Sequence, residues 1–349
     1  MADRTLLICP SNISFMPYAT HYLHLLDRFN IDYNVVYWDR LSLGRINDWT
    51  CYVDNKISHE RTFRDYLKFT RFVKAHCNTN KYDKIIIFGV QLAFFLSNYI
   101  KNNYSGSFIW DIRDYHPLLH FFNVQSFIES SNFVSISSPG YTEWLPNSNK
   151  FLICHNLPTE YLCSPTASFA IKNIPLNISY IGALRDYKLQ SSLINELAYN
   201  PKIHLSFHGR GNANDSISAL IKKNNINNTF ITHQYDHETE FKLYQEASII
   251  NSLIPQKGIN NVTLIPNRVY RAAINNRPLL ALKGTRTATT IARHKIGLVL
   301  DGIAGCDKHI LNYIENIDCI NFEKNCKNFI SEAQSDNEFF SHRLLNFFD

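Results

Sequence analysis

Short apolar runs recur along this chain, separated by segments with helical spacing of apolar positions. In the first half TLLIC (5–9), YNVVYW (33–38), KIIIFG (84–89), SFIWD (107–111), NFVSIS (132–137) and FLIC (151–154) read as strands. In the second half NISYIG (177–182), IHLSFH (203–208), ASIIN (247–251), PLLAL (278–282), GLVL (297–300) and IDCI (317–320) do the same. Runs this short and continuous suit strands buried on both faces, so the alternation predicts parallel sheets covered by helices. It pauses at 157–176, LPTEYLCSPTASFAIKNIPL, which has three prolines and no period and reads as a linker. The expected architecture is α/β, with doubly wound Rossmann-like domains at 1–160 and 175–330. Their strand C-terminal ends are expected to face a central cleft. The closing NEFFSHRLLNFFD predicts an amphipathic helix over 331–349 that packs back across the linker.

Two helices carry charge where the pattern makes it informative. In IPNRVYRAAINNRPLLAL (265–282), Pro266 can open a helix with Val269, Tyr270, Ala273 and Ile274 inward, ended by Asn275-Asn276. Arg268 and Arg271 then fall in its first turns, where the positive end of the helix dipole disfavours cations unless an anion is held nearby. In HERTFRDYLKFTRFVKAH (59–76), helical spacing gathers Arg61, Arg64, Lys68 and Arg71 on one face, opposite Phe63, Tyr66, Leu67 and Val73. That face reads as a solvated basic stripe or as a contact for anionic lipid headgroups or a lipid-linked pyrophosphate.

Composition narrows the function classes. The 349 residues suffice for two cores, with 45% hydrophobic and 13% aromatic residues. A net charge of +5 at only 19% charged residues suits an anionic ligand or membrane surface better than a nucleic-acid groove. The eight cysteines form no C-x-x-C pair, and several sit in apolar runs as small core residues. No segment reads as a signal peptide or a membrane span, so a cytoplasmic, reducing compartment is expected. His233 and His237 in HQYDH read as surface histidines rather than a metal pair.

The chemistry-bearing turns lie mostly in the second half. In YIGALRDYK (180–188) a strand ends at Gly182, and Arg185 and Lys188 follow beside a helix start, a pairing that suits a diphosphate. In SFHGRGN (206–212) Gly209 and Gly211 flank Arg210 and permit close backbone approach. Tyr235 follows, placed for a nucleobase if one binds there.

Taken in order, these turns, the helix ending LYQEAS, PNRVYRAAINNRPLLAL and IGLVL resemble the donor-binding domain of GT-B glycosyltransferases of the family-4 type, over about residues 175–302. IWDIRDYHP (109–117), FVSISSPGYTEWL (133–145) and FLICHNLP (151–158) resemble first-domain segments of members that build O-antigen and capsule repeats. The resemblance implies a GT-B fold and transfer of a sugar from a nucleotide-sugar donor to a growing, lipid-linked cell-surface glycan. It implies a site on the cytoplasmic face of the inner membrane, held peripherally, with no metal or other cofactor. No D-x-D triplet of the metal-dependent GT-A type is present. Arg185, Lys188 and Arg268 would contact the diphosphate, with Gly182, Gly209, Arg210, Gly211, Tyr235, Thr263, Asn267 and Arg271 around the donor. Asp114 is the candidate base for an inverting reaction and His116 the second candidate. With Arg113 they would orient the acceptor in a retaining one.

The sequence also departs from the family pattern. Arg271 stands where the family has a ribose-gripping Glu, Thr263 at a related acidic position, and Asn276 at a small glycine. Arg271, which can only donate, is left to contact an acidic donor group or to pair with a protein acid. A sugar-nucleotide 2-epimerase and a non-catalytic partner subunit on the same fold are the competing readings.

Overall fold

A computed structural model describes residues 4–158, 174–236 and 239–349. Most of the expected linker, together with Cys163 and His237, lies outside the described residues. The chain divides into two compact units. The first comprises Met1–Asn156 with Ser335–Asp349, and the second Leu157–Gln334.

The first unit holds strands β1 (Thr5–Cys9), β2 (Tyr33–Asp39), β3 (Thr50–Val53), β4 (Lys84–Phe88), β5 (Phe108–Ile112), β6 (Phe133–Ile136) and β7 (Phe151–Ile153). They form one sheet of order β3-β2-β1-β4-β5-β6-β7, every pairing parallel. Its helices are α1 (Pro17–Arg28), α2 (Phe63–Asn80), α3 (Val90–Tyr104) and α4 (Val124–Ser130). The second unit has β8 (Leu176–Ile181), β9 (Ile203–His208), β10 (Thr229–Thr232), β11 (Ile249–Asn251), β12 (Leu279–Leu282) and β13 (Gly297–Leu300). Their order is β10-β9-β8-β11-β12-β13, again all parallel. Around them lie α5 (Tyr187–Leu197), α6 (Asn214–Lys223), α7 (Glu240–Glu246), α8 (Ile259–Thr263), α9 (Asn267–Ile274), α10 (Arg286–His294) and α11 (Cys306–Asn316). Last comes α12 (Cys319–Phe348), the helix predicted over 331–349 begun a dozen residues earlier.

Strand order reverses between β1 and β4 in one sheet and between β8 and β11 in the other. Loops leaving the C-terminal edge diverge at such a point and open a crevice for a ligand. The two cores are built from the predicted apolar runs. In the first, β1, β2, β4 and α1 close over Phe340, Leu344 and Phe347 of α12. In the second, Phe322, Cys326 and Phe329 of α12 join the strands and α9.

Two strands escape the sequence reading and one expected strand is absent. β3 (TCYV) and β10 (TFIT) are edge strands, four-residue part-exposed runs set among polar residues, and lack the buried run that marks a central strand. IDCI (317–320) is no strand: Ile317 caps α11 and Cys319 opens α12, so its apolar residues serve a helix–helix corner. Among the described residues, no helix is long and apolar enough to cross a membrane.

Candidate functional site

In the second unit, the predicted donor turns gather at the β8/β11 switch point. Gly182 ends β8 with φ +123°, and Gly209 ends β9 with φ +128°, both conformations L side chains avoid. The two turns nest, with Gly182 N–H donating to His208 O at 2.9 Å and Leu184 N–H to Arg210 O at 3.2 Å. A Cβ on Gly209 would lie 2.2 Å from Gly182 O, and one on Gly211 1.9 Å from Leu184 O. Glycine is therefore required by the backbone approach itself.

Arg268 reaches this nest from the first turn of α9. Its guanidinium lies 3.9 Å over the Tyr180 ring, donates to Asn251 O at 3.2 Å, and places Nη2 3.6 Å from where a Gly182 Cβ would stand. Among the described residues no carboxylate pairs with it. Arg185 and Lys188 are exposed, and their side chains make no bond among the described residues. Desolvation raises the Asp186 carboxyl above its usual range while Arg185 and Arg268 pull it down, which places both cations around that turn. Arg210 is exposed and donates to Gln234 Oε1 at 2.5 Å. Asn267 is exposed at the start of α9, and Thr263 is buried, its hydroxyl donating to Ile259 O at 2.6 Å.

Arg271 behaves differently from Arg268. In an eight-residue helix it falls in the last turn, where a cation is favoured, and not at the N-terminus as the sequence suggests. It forms an ion pair with Glu240 at the start of α7. Tyr235 also donates to Glu240, at 3.4 Å. Burial first, and then that carboxylate, push the Tyr235 phenol up to about 12. Sequence reasoning missed Glu240, which is 3% exposed, because its partners lie on other segments. His233, one of the two surface-histidine candidates, is exposed and shares its Nδ1 with Asn214 Nδ2 at 3.2 Å.

In the first unit a cavity of about 210 Å³ opens at the β1/β4 switch point. Arg113, Asp114 and His116, at the end of β5, all line it. Arg113 grips Asp111 two residues back, Nε to Oδ1 at 2.5 Å and Nη2 to Oδ2 at 2.6 Å. Its Nη1 donates to Cys154 O at 3.0 Å and Asn156 Oδ1 at 2.9 Å. Tyr22 donates to the same Asp111 at 3.0 Å. Four of the five guanidinium hydrogens are thus committed within the protein, which makes Arg113 a holder of the β5 and β7 ends. The alternation of strand residues explains the contact: Asp111 and Arg113 share a sheet face.

Asp114 is exposed at the cavity wall. His116 accepts the Leu118 N–H on Nδ1 at 3.2 Å, and burial lowers its pKa. A neutral imidazole accepting on Nδ1 carries its proton on Nε2 and can donate from there. The remaining lining comes from the loops after β1 and β2 and from Tyr18, Tyr66 and the start of α3. Asn12 donates to Asp39 at 2.6 Å and accepts the Arg40 N–H at 3.0 Å, tying the β1 and β2 loops together.

The predicted basic face of α2 is only partly present. Arg64, Lys68 and Arg71 are exposed along it. Arg61 lies before the helix, because Thr62 is the N-cap of a capping box with Asp65. Its side chain is buried against Asp54, with Nε to Oδ2 at 2.8 Å, and cannot join a surface contact.

No protein-family model and no curated protein matches the sequence. Solved structures do match its fold over nearly the whole chain. A sucrose-phosphate synthase from Thermosynechococcus elongatus is 13% identical at a TM-score of 0.72, covering 99% of this chain and 98% of its own. The lipopolysaccharide outer core galactosyltransferase WaaB, in its apo form, is 12% identical at 0.66, covering 98% and 99%. Anabaena HepE, solved in complex with UDP and glucose, is 11% identical at 0.64, covering 99% and 100%. The chain has the fold of these structures, the GT-B glycosyltransferase fold: α/β, with one parallel sheet of seven strands and one of six.

Proposed function

We propose that this chain is a glycosyltransferase that moves a sugar from a nucleotide-sugar donor to a lipid-linked surface glycan, working at the cytoplasmic face of a membrane. The observation that carries this reading is the cation-lined glycine nest at the β8/β11 switch point. Arg268, without a protein carboxylate, stands against Gly182, and Arg185 and Lys188 follow on the same turn. Such an arrangement holds a diphosphate and offsets the charge that develops as it leaves, the electrostatic contribution that usually dominates. In this reading the fixed guanidinium and ammonium groups do the work of a metal ion. The likeness to HepE, which holds UDP and glucose, supports a nucleotide donor in the second unit.

In the transfer step an acceptor hydroxyl oxygen bonds to the donor's anomeric carbon, and the bond from that carbon to the diphosphate oxygen breaks. The electron pair leaves with the diphosphate. In an inverting course Asp114 takes the hydroxyl proton; in a retaining course the departing phosphate oxygen takes it, and Asp114 orients the acceptor. His116, donating through Nε2, serves either course as an orienting group.

The test is release of nucleoside diphosphate from a panel of nucleotide sugars, followed by chromatography. Hydrolysis of one donor, reduced at least tenfold in Asp114→Asn with donor affinity kept, supports the reading. Conversion of a donor into its 2-epimer would assign the chain to epimerases instead. Tight nucleotide binding with no turnover of any donor would make it a non-catalytic partner.

A further inference from the structure

The cavity of the first unit has an electrical polarity that the transfer reading does not require. Its lining runs from Arg40, after β2, through Pro10 and Ser11 after β1 and Gly89–Gln91 after β4, to Asp114 after β5. These strands are consecutive in the sheet, so the two ends are three strand spacings apart, about 14 Å. Asp114 and His116 occupy one end. Arg40 occupies the other.

Arg40 is 9% exposed, and among the described residues no carboxylate pairs with its guanidinium. Its Nη1 donates to His59 O at 2.9 Å and its Nη2 to Tyr66 Oη at 2.8 Å, both neutral acceptors. Its Nε is buried without a partner. The Trp38 and Tyr66 rings, 4.7 and 5.3 Å from its central carbon, give it a polarisable seat but no counter-charge. A buried cation without a counter-ion is costly, and the other buried guanidinium of this cavity, Arg113, has one in Asp111.

The middle of the cavity reinforces the same charge. Gly89, Val90 and Gln91 begin the fifteen-residue α3, whose N-terminus has no side-chain cap. Its first backbone N–H groups lack intrahelical acceptors and carry the positive end of the helix dipole. An uncompensated buried guanidinium and an uncapped helix start therefore line one cavity.

Building on the proposed transfer, we infer that the acceptor is a phosphorylated sugar. Its phosphoryl group sits between Arg40 and the α3 N-terminus, and its reacting hydroxyl points to Asp114. A phosphate at the Asp114 end would be repelled, so the polarity also fixes which way round the sugar enters. Neither a free sugar phosphate nor a sugar on a lipid diphosphate is favoured by this chemistry alone, since both present the same group.

The test uses the intact protein without nucleotide sugar, by calorimetric titration with glucose 6-phosphate, glucose and geranyl diphosphate. A phosphorylated probe should bind at least tenfold more tightly than glucose. Arg40→Gln should remove that preference, and Arg40→Lys should keep part of it. Tighter binding of geranyl diphosphate would mark a lipid-linked acceptor, and of glucose 6-phosphate a soluble one. The inference is overturned if the parent shows no preference for either phosphorylated probe. It is also overturned if Arg40→Gln, melting as the parent does, retains it. If Arg40→Gln does not fold, the parent and Arg40→Lys comparisons still decide. Phosphate binding through Arg40 in a protein that turns over no donor would refute the transfer reading alone.

Discussion

Arg268 and Arg271 lie three residues apart on one short helix and have opposite fates. Arg268 has a ring and a carbonyl as neighbours and, among the described residues, no carboxylate; Arg271 is neutralised by Glu240. The sequence left two arrangements open for Arg271, and the structure contains the pair with a protein acid. Reversing the charge by Arg271→Glu would set two carboxylates together at a nearly buried position. The expected loss is about 3–5 kcal/mol of stability, the range for breaking a buried ion pair. Chemical denaturation of the variant checks this, and an unchanged midpoint would show the pair to be dispensable. The double variant Arg271→Glu with Glu240→Arg should recover part of the loss.

At the scale of elements, α2 presents Arg64, Lys68 and Arg71 to solvent while Tyr66, Phe69, Val73 and Cys77 of the same helix are buried. The capping box at Thr62 fixes where the helix starts and so removes Arg61 from that face. Exposed Leu43, Val53, Ile57 and Phe63 lie on or before this helix, on the same stretch of chain. A surface mixing cations and apolar side chains suits an anionic bilayer. Replacing Arg64, Lys68 and Arg71 by Gln should lower binding to phosphatidylglycerol-rich vesicles at least tenfold, and the parent's binding should weaken as salt rises. Sedimentation with such vesicles at low salt measures both, and a parent left in the supernatant would rule the surface out.

For the molecule as a whole, the end of α12 holds the first unit together. Phe340 packs edge-on to Tyr22 at 5.2 Å and lies 6.0 Å from the ring of His21, both on α1. Desolvation, with Arg113 next, lowers the His21 pKa from 6.5 to about 4, and its Nε2 is buried without a partner. Because the folded value is the lower one, the unfolded chain takes up this proton first as pH falls. The stability tied to neutral His21 is complete above pH 6.5 and declines between pH 6.5 and about 4, by about 3 kcal/mol at most. Thermal melts across that range should show the decline in the parent and a shallower one in His21→Gln. Equal slopes would move the acid sensitivity elsewhere.

The sequence by itself determined the layer architecture. Central parallel strands are buried on both faces, so each must be a short apolar run, and such runs are visible without coordinates. It also located the turns at the strand ends: the Gly182 and Gly209 turns, the Arg268 helix, and the Asp114 segment. Edge strands β3 (TCYV) and β10 (TFIT) stayed hidden because each is only four residues long, part-exposed and set among polar residues, although its own residues favour a strand. Only the tertiary structure decided which charges remain available. Asp111 neutralises Arg113, Glu240 cancels Arg271, Asp54 sequesters Arg61, and among the described residues no carboxylate pairs with Arg40. Periodicity along a chain says which face a residue occupies. The partner of a charge is set by which strand ends and helix starts the fold brings together, as where Glu240 meets Arg271 from 31 residues away. The physical reason is that charge pairing acts over a few ångströms of space, whereas the hydrophobic pattern is written into each segment separately.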